Sequence, residues 1–261
     1  KVKNTVYSDK SEFQTIDIIE TEGLGKVLLL DGLVMTTEKD EFFYHEMIAH
    51  IPMLSHPEPK QVLVIGGGDG GTVREVLKHD TVERVVLCEI DGKVIDACKK
   101  YMPQLARKLD DPRVEMQVRD GVEYIASQKA QFDIILIDST DPMGPGEGLF
   151  TEEFYKNVNA ALKPGGIMAA QSESPFVNKR EMKLMYPLLR KAFPIVGTFV
   201  GPIPTYPGGY WSWAFCSNTV EPNSFIDEKR AEIIAKDAVI YNTDLHRAAF
   251  ALPNFVKELV K

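Results

Sequence analysis

The sequence predicts an α/β protein with a doubly wound, mostly parallel, Rossmann-like sheet and a small antiparallel β domain at its N-terminus. Two observations predict the sheet: apolar strands alternate with helices after Lys60, and a glycine-rich turn, GGGDGG, follows the first of these strands. Such alternation is typical of a parallel sheet whose two faces are both covered by helices. A third observation predicts the smaller domain, since short β-prone stretches fill residues 13–37.

The N-terminal stretch, FQTIDIIETEGLGKVLLLDGLVMTT, is divided by glycines, including the pair Asp31-Gly32. An Asp-Gly pair between apolar runs is a hairpin signal, so two or three antiparallel strands are expected. The next stretch, DEFFYHEMIAHIPML at 40–54, has helical periodicity after an acidic start, and HPEP then breaks it. We therefore predict an N-terminal β region with a connecting helix at 1–55 and a Rossmann-like domain at 56–261.

Strands, turns and helices repeat in the second domain. The predicted strands are 61–65, 84–88, 114–118, 132–137 and 167–170, and the predicted helices are 72–79, 92–101, 122–127 and 152–162. A strand at 210–216 is expected to close one edge of the sheet in antiparallel fashion. Ligands of such sheets bind in the crevice at the carboxyl ends of the strands.

Composition and charge limit the classes of protein. The chain has 261 residues, of which 44% are hydrophobic and 26% charged, as in a globular protein. A formal net charge of −8 with scattered Lys and Arg argues against nucleic-acid binding. No apolar run approaches the roughly 20 residues of a membrane helix. We expect a cytoplasmic protein without membrane or nucleic-acid partners, and a short upstream segment, because Lys1 is not a natural first residue.

The three cysteines are odd in number and lack the spacing of metal ligands. Cys88, Cys98 and Cys216 are therefore expected to be reduced core residues, and no metal site is predicted.

The segment VIGGGDGGTVREV, residues 64–76, places a carboxylate inside a phosphate-binding pattern. Gly66, Gly68 and Gly71 satisfy G-x-G-x-x-G between a strand and a helix, which is the context of a nucleotide fold. Asp69 would repel a pyrophosphate by about 4 kcal/mol per charge pair, at roughly 4 Å and an effective dielectric constant near 20. A positively charged nucleoside would be attracted. The motif therefore favours S-adenosylmethionine or a relative, on a sheet of the class I methyltransferase type, over NAD or ATP.

Acidic residues follow the next two strands. Glu89 ends the second strand about 20 residues beyond the glycines, where an acidic residue accepts hydrogen bonds from ribose hydroxyls. The pair Asp120-Gly121 follows the third strand and is placed to reach the adenine edge. Taken singly, Glu89 and Asp91 could be helix caps and Asp120 a turn former. Their recurrence at successive strand ends favours the nucleoside site.

The fourth strand ends in IDSTDPMGPGEGLF, where Asp138 and Asp141 flank Ser139-Thr140. Such a cluster is often only a turn or a helix cap. The helix start is better assigned to Thr151, which leaves both aspartates without a capping role. Together with Asp69 they would form an acidic site suited to an amine.

The sequence resembles the polyamine aminopropyltransferases, the family that includes the spermidine synthases. The resemblance lies in the order of six motifs: DEFFYHEM at 40–47, GGGDGG, CEID, the DG at 120, DSTDPMGP and IPTYPGG at 203–209. The similarity runs from Phe13 to the AAFALPNFV near residue 255. It implies transfer of the aminopropyl group of decarboxylated S-adenosylmethionine to putrescine, giving spermidine and methylthioadenosine. The donor is a co-substrate, so no cofactor is implied, and relatives suggest a homodimer or homotetramer.

The resemblance also implies roles for individual residues. Asp138 would be the catalytic base, Tyr44 could share its proton relay, and Asp69 would hold the aminopropyl amine. The donor-binding set would be Gln14, Gly66, Gly68, Asp69, Glu89, Asp120, Gly121 and Pro145. The acceptor-binding set would be Tyr44, His45, Asp138, Asp141, Gln171 and Tyr206, with Asp141 anchoring one end of the diamine.

Alternatives remain open from the sequence. The acceptor could be agmatine, cadaverine or spermidine, because channel depth cannot be read from residue types. An S-adenosylmethionine-dependent amine methyltransferase could use the same fold, although Asp69 disfavours the carboxylate of its donor. A catalytically silent nucleoside-binding protein is the most distant alternative. His45 could be only a partly buried histidine, and Tyr206 could serve only to shape a rigid loop.

Overall fold

The structure is a computed structural model, and it describes residues 1–140 and 144–261, with the side chain of Pro145 also left out. The predicted roles of Asp141 and Pro145 therefore lie outside the described residues. Within the described ranges, no helix has the length and apolar character needed to cross a membrane.

The N-terminal sheet has four antiparallel strands in chain order: β1 (Val2–Lys10), β2 (Thr15–Thr21), β3 (Gly25–Leu30) and β4 (Leu33–Thr37). Asp31 and Gly32 form the two-residue turn between β3 and β4, with φ of 49° and 81°, as the hairpin signal predicts. Strand β1 was not predicted. Its side chains are mostly exposed on both faces, so its sequence lacks the apolar alternation of a half-buried strand.

The larger sheet confirms the predicted doubly wound fold. Its seven strands run in the order β10-β11-β9-β8-β5-β6-β7, and β5 to β9 are parallel. The strands are β5 (Gln61–Gly66), β6 (Arg84–Glu89), β7 (Val114–Val118), β8 (Phe132–Asp138), β9 (Leu162–Gln171), β10 (Ile195–Pro202) and β11 (Tyr210–Ser217). Strands β10 and β11 close one edge in antiparallel fashion, as predicted.

Helices cover both faces of this sheet. They are α1 (Glu41–Leu54), α2 (Gly71–Val76), α3 (Gly92–Tyr101), α4 (Pro103–Ala106), α5 (Gly121–Ala126), α6 (Glu152–Ala161), α7 (Lys179–Ala192), α8 (Glu228–Asp237), α9 (Thr243–Ala249) and α10 (Asn254–Leu259). The side chain of Thr151 accepts a hydrogen bond from the N–H of Phe154 at 3.2 Å, which confirms the predicted start of α6.

Two predicted boundaries in the second domain differ from the structure by more than one residue. Helix α2 ends at Val76 instead of residue 79, because the N–H groups of Lys78 and His79 bond carbonyls only three residues back. Strand β9 begins at Leu162, five residues before the predicted strand 167–170. The pairing of β8 with β9 begins at Leu162, opposite Phe132, and resumes at Ile167, opposite Ile134. The Lys-Pro-Gly-Gly segment lies between these two pairs and forms a bulge.

The core lies on both faces of the larger sheet, and β5 shows why its strands appear uniformly apolar. Val62 and Val64 belong to the cluster that includes side chains of α1 and α2, while Leu63 and Ile65 belong to the opposite cluster with α6 and α7. Each such fully buried side chain contributes about 1.5–3 kcal/mol relative to an exposed one. The three cysteines are buried in this core and are free.

The topology brings the chemistry-bearing residues to one edge of the sheet. In the parallel register Gly66 lies opposite Asp138, and Glu89 lies opposite Val118. The glycine turn, Glu89, Asp120 and Asp138 therefore all sit at carboxyl ends of strands. The division of the chain at residue 55 stays a prediction.

Candidate active site

A cavity of about 410 Å³ lies at the carboxyl ends of β5 to β8. Strand ends and the glycine turn line one side, and the β3–β4 hairpin, α1 and the 203–209 loop line the other. The structure brings together these predicted residues around it: Gln14, Tyr44, His45, Gly66, Gly68, Asp69, Glu89, Asp120, Gly121, Asp138, Gln171 and Tyr206.

The glycine turn is closed by carboxylates and an imidazole. A Cβ atom on Gly67 would lie 2.7 Å from Oδ2 of Asp138, and one on Gly68 would lie 3.0 Å from Oε2 of Glu89. A Cβ on Gly71 would lie 2.3 Å from the His45 ring. The glycines thus allow acidic and imidazole side chains to approach the backbone, where a phosphate would sit in an ordinary nucleotide-binding turn.

Asp69 is held inside the turn by two contacts. Its Oδ1 accepts a hydrogen bond from the N–H of Gly71 at 2.7 Å and lies 3.5 Å from Nε2 of His45. The other ring nitrogen of His45 lies 2.5 Å from Oε2 of Glu41. Burial opposes a charge on His45, but the Asp69 and Glu41 carboxylates hold its pKa well above the usual value. His45 is therefore an imidazolium between two carboxylates.

Behind His45 the ion pairs continue away from the cavity. Arg74 donates to Oε2 of Glu41 at 2.8 Å and to Oε1 of Glu75 at 2.8 Å. We call Asp69, His45, Glu41, Arg74 and Glu75 the ion-pair chain. Burial alone would raise the pKa of Glu41, yet its bonds to His45 and Arg74 lower it to about 2. Sequence reasoning missed Glu41 and Arg74. The four-residue spacing of Glu41 and His45 on a helix was an available signal for Glu41, and no local pattern indicates Arg74.

Glu89 and Asp120 are each partly engaged by the backbone. Glu89 accepts hydrogen bonds from the N–H groups of Gly68 at 3.2 Å and Asp91 at 2.9 Å, and burial raises its pKa to about 7. Asp120 caps α5 by accepting from the N–H of Val122 at 2.7 Å. Asp120 is thus a helix cap, whereas the alternative from the sequence was a turn former, and it also lines the cavity.

Asp91 and Gln14 connect the N-terminal region to the end of β6. Asp91 caps α3 by accepting from the N–H of Lys93 at 3.1 Å, as its alternative reading predicts. The side-chain amide of Gln14 donates to Oδ2 of Asp91 at 3.0 Å. This contact places Gln14 at the cavity wall.

Asp138 accepts a hydrogen bond from a side-chain hydroxyl. Thr72 donates to its Oδ2 at 2.6 Å, and the Tyr44 side chain lines the same cavity. Burial raises the pKa of Asp138, and the negative charge of Asp69 raises it further. The pKa of Tyr44 is held well above its usual value, first by burial and then by the charge of Asp138.

The opposite wall combines polar anchors with apolar surface. The Tyr206 hydroxyl donates to the carbonyl of Met35 at 2.5 Å, and the N–H of Thr205 donates to Asp40 at 2.9 Å, so Tyr206 both fixes the 203–209 loop and faces the cavity. Gln171 donates to Glu173 at 3.3 Å. Sequence reasoning also missed the apolar lining, which comes from Leu28, Leu30, Leu33, Val34, Met35 and Trp211. In the part of the chain that is described, no group of His, Cys, Asp and Glu could hold a metal ion.

The fold and the site define a class: a Rossmann-like enzyme whose nucleoside-sized cleft carries carboxylates where a nucleotide enzyme would bind phosphate. Comparison with known proteins identifies the family. The model for the spermine/spermidine synthase domain matches residues 41–228, and the model for the spermidine synthase tetramerisation domain matches residues 1–38. The chain belongs to the spermine/spermidine synthase family and is a polyamine aminopropyltransferase, as the sequence resemblance implies.

Relatives agree over nearly the whole chain. A polyamine aminopropyltransferase of Thermotoga maritima is 51% identical over 99% of this chain and 88% of its own length. One from Alkaliphilus oremlandii is 48% identical over 100% and 93%. A crystal structure of spermidine synthase in complex with the transition state analogue AdoDATO has a TM-score of 0.97 at 50% identity, covering 100% of this chain and 89% of that one. Spermidine synthase from Thermotoga maritima has a TM-score of 0.92 at 48% identity, covering 98% and 87%.

Proposed function

We propose that this enzyme transfers the aminopropyl group of decarboxylated S-adenosylmethionine to putrescine, giving spermidine and methylthioadenosine. One observation carries the proposal: Asp69 and Asp138 converge on a cavity whose glycine turn is closed to phosphate by carboxylates. A donor and an acceptor that are both cationic suit two carboxylates in one cleft. The transition state analogue bound by the solved relative is consistent with a donor and an acceptor joined in one cavity.

In the proposed donor complex each strand end has a separate task. Glu89 accepts from the ribose hydroxyls, Asp120 and Gly121 meet the adenine edge, and Asp69 binds the aminopropyl amine. Gln14, Gly66 and Gly68 complete the wall, with Pro145 assigned from the resemblance alone. The donor is consumed as a co-substrate, so the proposal requires no cofactor and no metal.

The proposed acceptor complex uses Tyr44, His45, Asp138, Gln171 and Tyr206, together with Asp141, whose position lies outside the described residues. His45 is engaged by Glu41 and Asp69, so its contribution to the acceptor is a positive charge at the end of the channel that faces the donor. This charge would disfavour the second ammonium group of a diamine at His45, which agrees with a separate anchor for that group, the role that the resemblance implies for Asp141.

The proposed reaction is an in-line displacement. The acceptor nitrogen attacks the methylene next to the sulfonium, a C–N bond forms, the C–S bond breaks, and a neutral thioether leaves. The nitrogen must lose a proton, and an aspartate near 3.9 is a poor match for an amine near 10. Burial and Asp69 narrow that gap by raising the pKa of Asp138. Asp138 orients the neutral amine and accepts its proton, with Tyr44 as the adjacent relay.

We also propose a homotetramer. The match of residues 1–38 to a tetramerisation domain supports it. Strand β1, which is exposed along both faces in the single chain, and the exposed side chains of Val2 and Leu33 are available for contacts between copies.

A product assay tests the proposed reaction. Purified protein is incubated with decarboxylated S-adenosylmethionine and, in parallel, putrescine, agmatine, cadaverine or spermidine, and the products are measured by mass spectrometry. Spermidine with stoichiometric methylthioadenosine, formed from putrescine and little from the other amines, is the expected result. If another amine gives more product than putrescine, that amine is the acceptor and the proposed acceptor is wrong. Methyl transfer from intact S-adenosylmethionine, without aminopropyl transfer, would overturn the proposal in favour of a methyltransferase.

A further inference from the structure

Thr72 is a buried hydroxyl residue directly behind the glycine turn. It is the second residue of α2, and none of its surface is exposed. Its Oγ1 donates to Oδ2 of Asp138 at 2.6 Å. A distance this short is typical of a hydroxyl bonded to a carboxylate, which is about twice as strong as a neutral hydrogen bond. The helix that follows the turn expected to bind the donor thus also holds the proposed base.

We propose that Thr72 is a positioning residue for the transfer reaction. Its hydroxyl holds one oxygen of Asp138, so that the other oxygen is presented to the acceptor amine. The proposal rests on the proposed role of Asp138. The last torsion of an aspartate side chain is broad and has no deep staggered minimum, so an external donor is needed to fix the carboxylate plane.

The surroundings of Asp138 leave this task to Thr72. Tyr44 faces the same cavity from α1, and its proposed role is to pass on the proton, so it is not assigned as a fixed clamp. The glycine turn gives Asp138 space, because a Cβ on Gly67 would lie 2.7 Å from its Oδ2, but the glycines have no side chain that could hold the carboxylate. The titratable groups that act on Asp138 are Tyr44 and His45 from α1, Asp69 from the turn and Glu89 from β6. Of these, Asp69 and Glu89 are acidic and cannot donate to Asp138 when ionised.

The bond also affects ionisation. Burial and Asp69 raise the pKa of Asp138, and the Thr72 hydrogen bond lowers it. Without the hydroxyl, the carboxylate would take up a proton at higher pH. The acidic limb of the kcat profile would therefore move to higher pH, and this shift separates a positioning role from a purely structural one.

The test compares Thr72→Val, which keeps the side-chain shape, with Thr72→Ser, which keeps the hydroxyl. For Thr72→Val we expect kcat to fall about tenfold to a hundredfold, the KM for the donor to stay within about twofold, and the acidic limb to shift upward. Thr72→Ser should restore kcat and the limb. The matched control is Thr198→Val, which removes the buried hydrogen bond of 2.8 Å from the hydroxyl of Thr198 on β10 to that of Tyr186 on α7 and should leave the limb unchanged.

Two results of this comparison are decisive. Wild-type kcat and pH profile in Thr72→Val would overturn the proposal, as would a loss that Thr72→Ser does not restore, which would indicate packing. If Thr72→Val does not fold, Thr72→Ala removes the same hydroxyl and replaces it in the comparison. Asp138→Asn separates the failure of the Thr72 proposal from the failure of the proposed base. If Asp138→Asn is inactive while Thr72→Val is normal, only the role of Thr72 is wrong. If Asp138→Asn is nearly fully active, the proposed base is wrong and the role of Thr72 is overturned with it.

Discussion

Two sets of carboxylates in this molecule, those of the ion-pair chain and those at the strand ends of the cavity, differ in their partners. In the ion-pair chain, Glu41 and Glu75 each contact buried cationic side chains, and the pKa of both lies well below its usual value. In the cavity, Glu89 is buried and Asp138 is partly buried, their hydrogen-bond donors are neutral, and the pKa of both is raised.

The difference in partners shows at which carboxylates a cationic ligand can balance a negative charge that the protein itself does not pair. A buried carboxylate with a fixed cationic partner is part of the structure, whereas one with only neutral donors has a surplus of negative charge at the site. Asp69 belongs to both regions: it faces the cavity, and its pKa is lowered by His45. It is therefore ionised before any donor arrives.

The largest expected effect is on catalysis. Asp138→Asn removes the proposed base, and we expect kcat to fall by about two to four orders of magnitude. The control, Asp110→Asn, removes an exposed carboxylate paired with Lys99 and should leave kcat unchanged. Steady-state rates measure both. A loss smaller than about tenfold for Asp138→Asn would show that the cavity carboxylate has no role as base.

Breaking the ion-pair chain should affect stability next. Arg74→Met removes the cation that Glu41 and Glu75 share. Glu41 keeps His45 and Glu75 keeps Lys78, so we expect the free energy of unfolding to fall by about 1.5–3 kcal/mol, the range for a hydrogen bond to a charged group. Arg247→Met removes an exposed partner of Glu228 and should change it little. Urea unfolding of both variants makes the comparison. If both variants lose the same free energy of unfolding, the ion-pair chain stabilises the fold no more than the exposed pair of Arg247 and Glu228 does.

Glu89 should behave in the opposite way to Glu41. Its pKa is about 7 in the folded protein against 4.5 in the unfolded chain, so the stability it contributes is present below about pH 4.5 and is lost as the pH rises through 7. Glu89→Gln should therefore raise the free energy of unfolding above pH 7 by up to about 3 kcal/mol, while raising the KM for the donor. For Glu41, whose pKa is lowered to about 2, stability is lost instead as the pH falls from 4.5 toward 2.

Unfolding of Glu89→Gln in urea at pH 5 and pH 8 tests the sign. A variant that is less stable than wild type at pH 8 would place Glu89 with the ion-pair chain and not with the ligand site.

The smallest expected effect concerns Asp120, which both caps α5 and lines the cavity. Asp120→Ser keeps a good cap, so stability should change by less than about 0.5 kcal/mol. The lost carboxylate should raise the KM for the donor about fivefold to tenfold, as expected for one hydrogen bond. Melting temperature and donor KM measure the two roles separately. An unchanged KM would reduce Asp120 to a helix cap.

Much of this arrangement was predictable from sequence, because the residues that form the donor wall follow strands directly. Glu89 ends the largely apolar strand β6, Asp120 follows β7 by two residues, and the glycine turn is identified by its spacing. Parallel pairing then brings these positions together without further information.

Other features depend on contacts between distant segments. Strand β1 lacks an apolar pattern because neither of its faces is buried in the single chain. Arg74 and Thr72 looked like ordinary residues of a short helix, and their roles follow from Glu41 and Asp138, which lie far away in sequence. No local propensity records such pairings.

The register of Gly66 opposite Asp138 also has a consequence for how the enzyme is made. During synthesis the glycine turn emerges with β5, but the strand that carries Asp138 follows only after β6 and β7. Because β8 inserts between β5 and β9, the turn and its carboxylate meet only when this non-local pairing closes, which is a slow kind of step in folding. A partly synthesised chain that ends before β8 therefore contains the glycine turn but lacks Asp138. The active site is complete only after β8 has paired with β5.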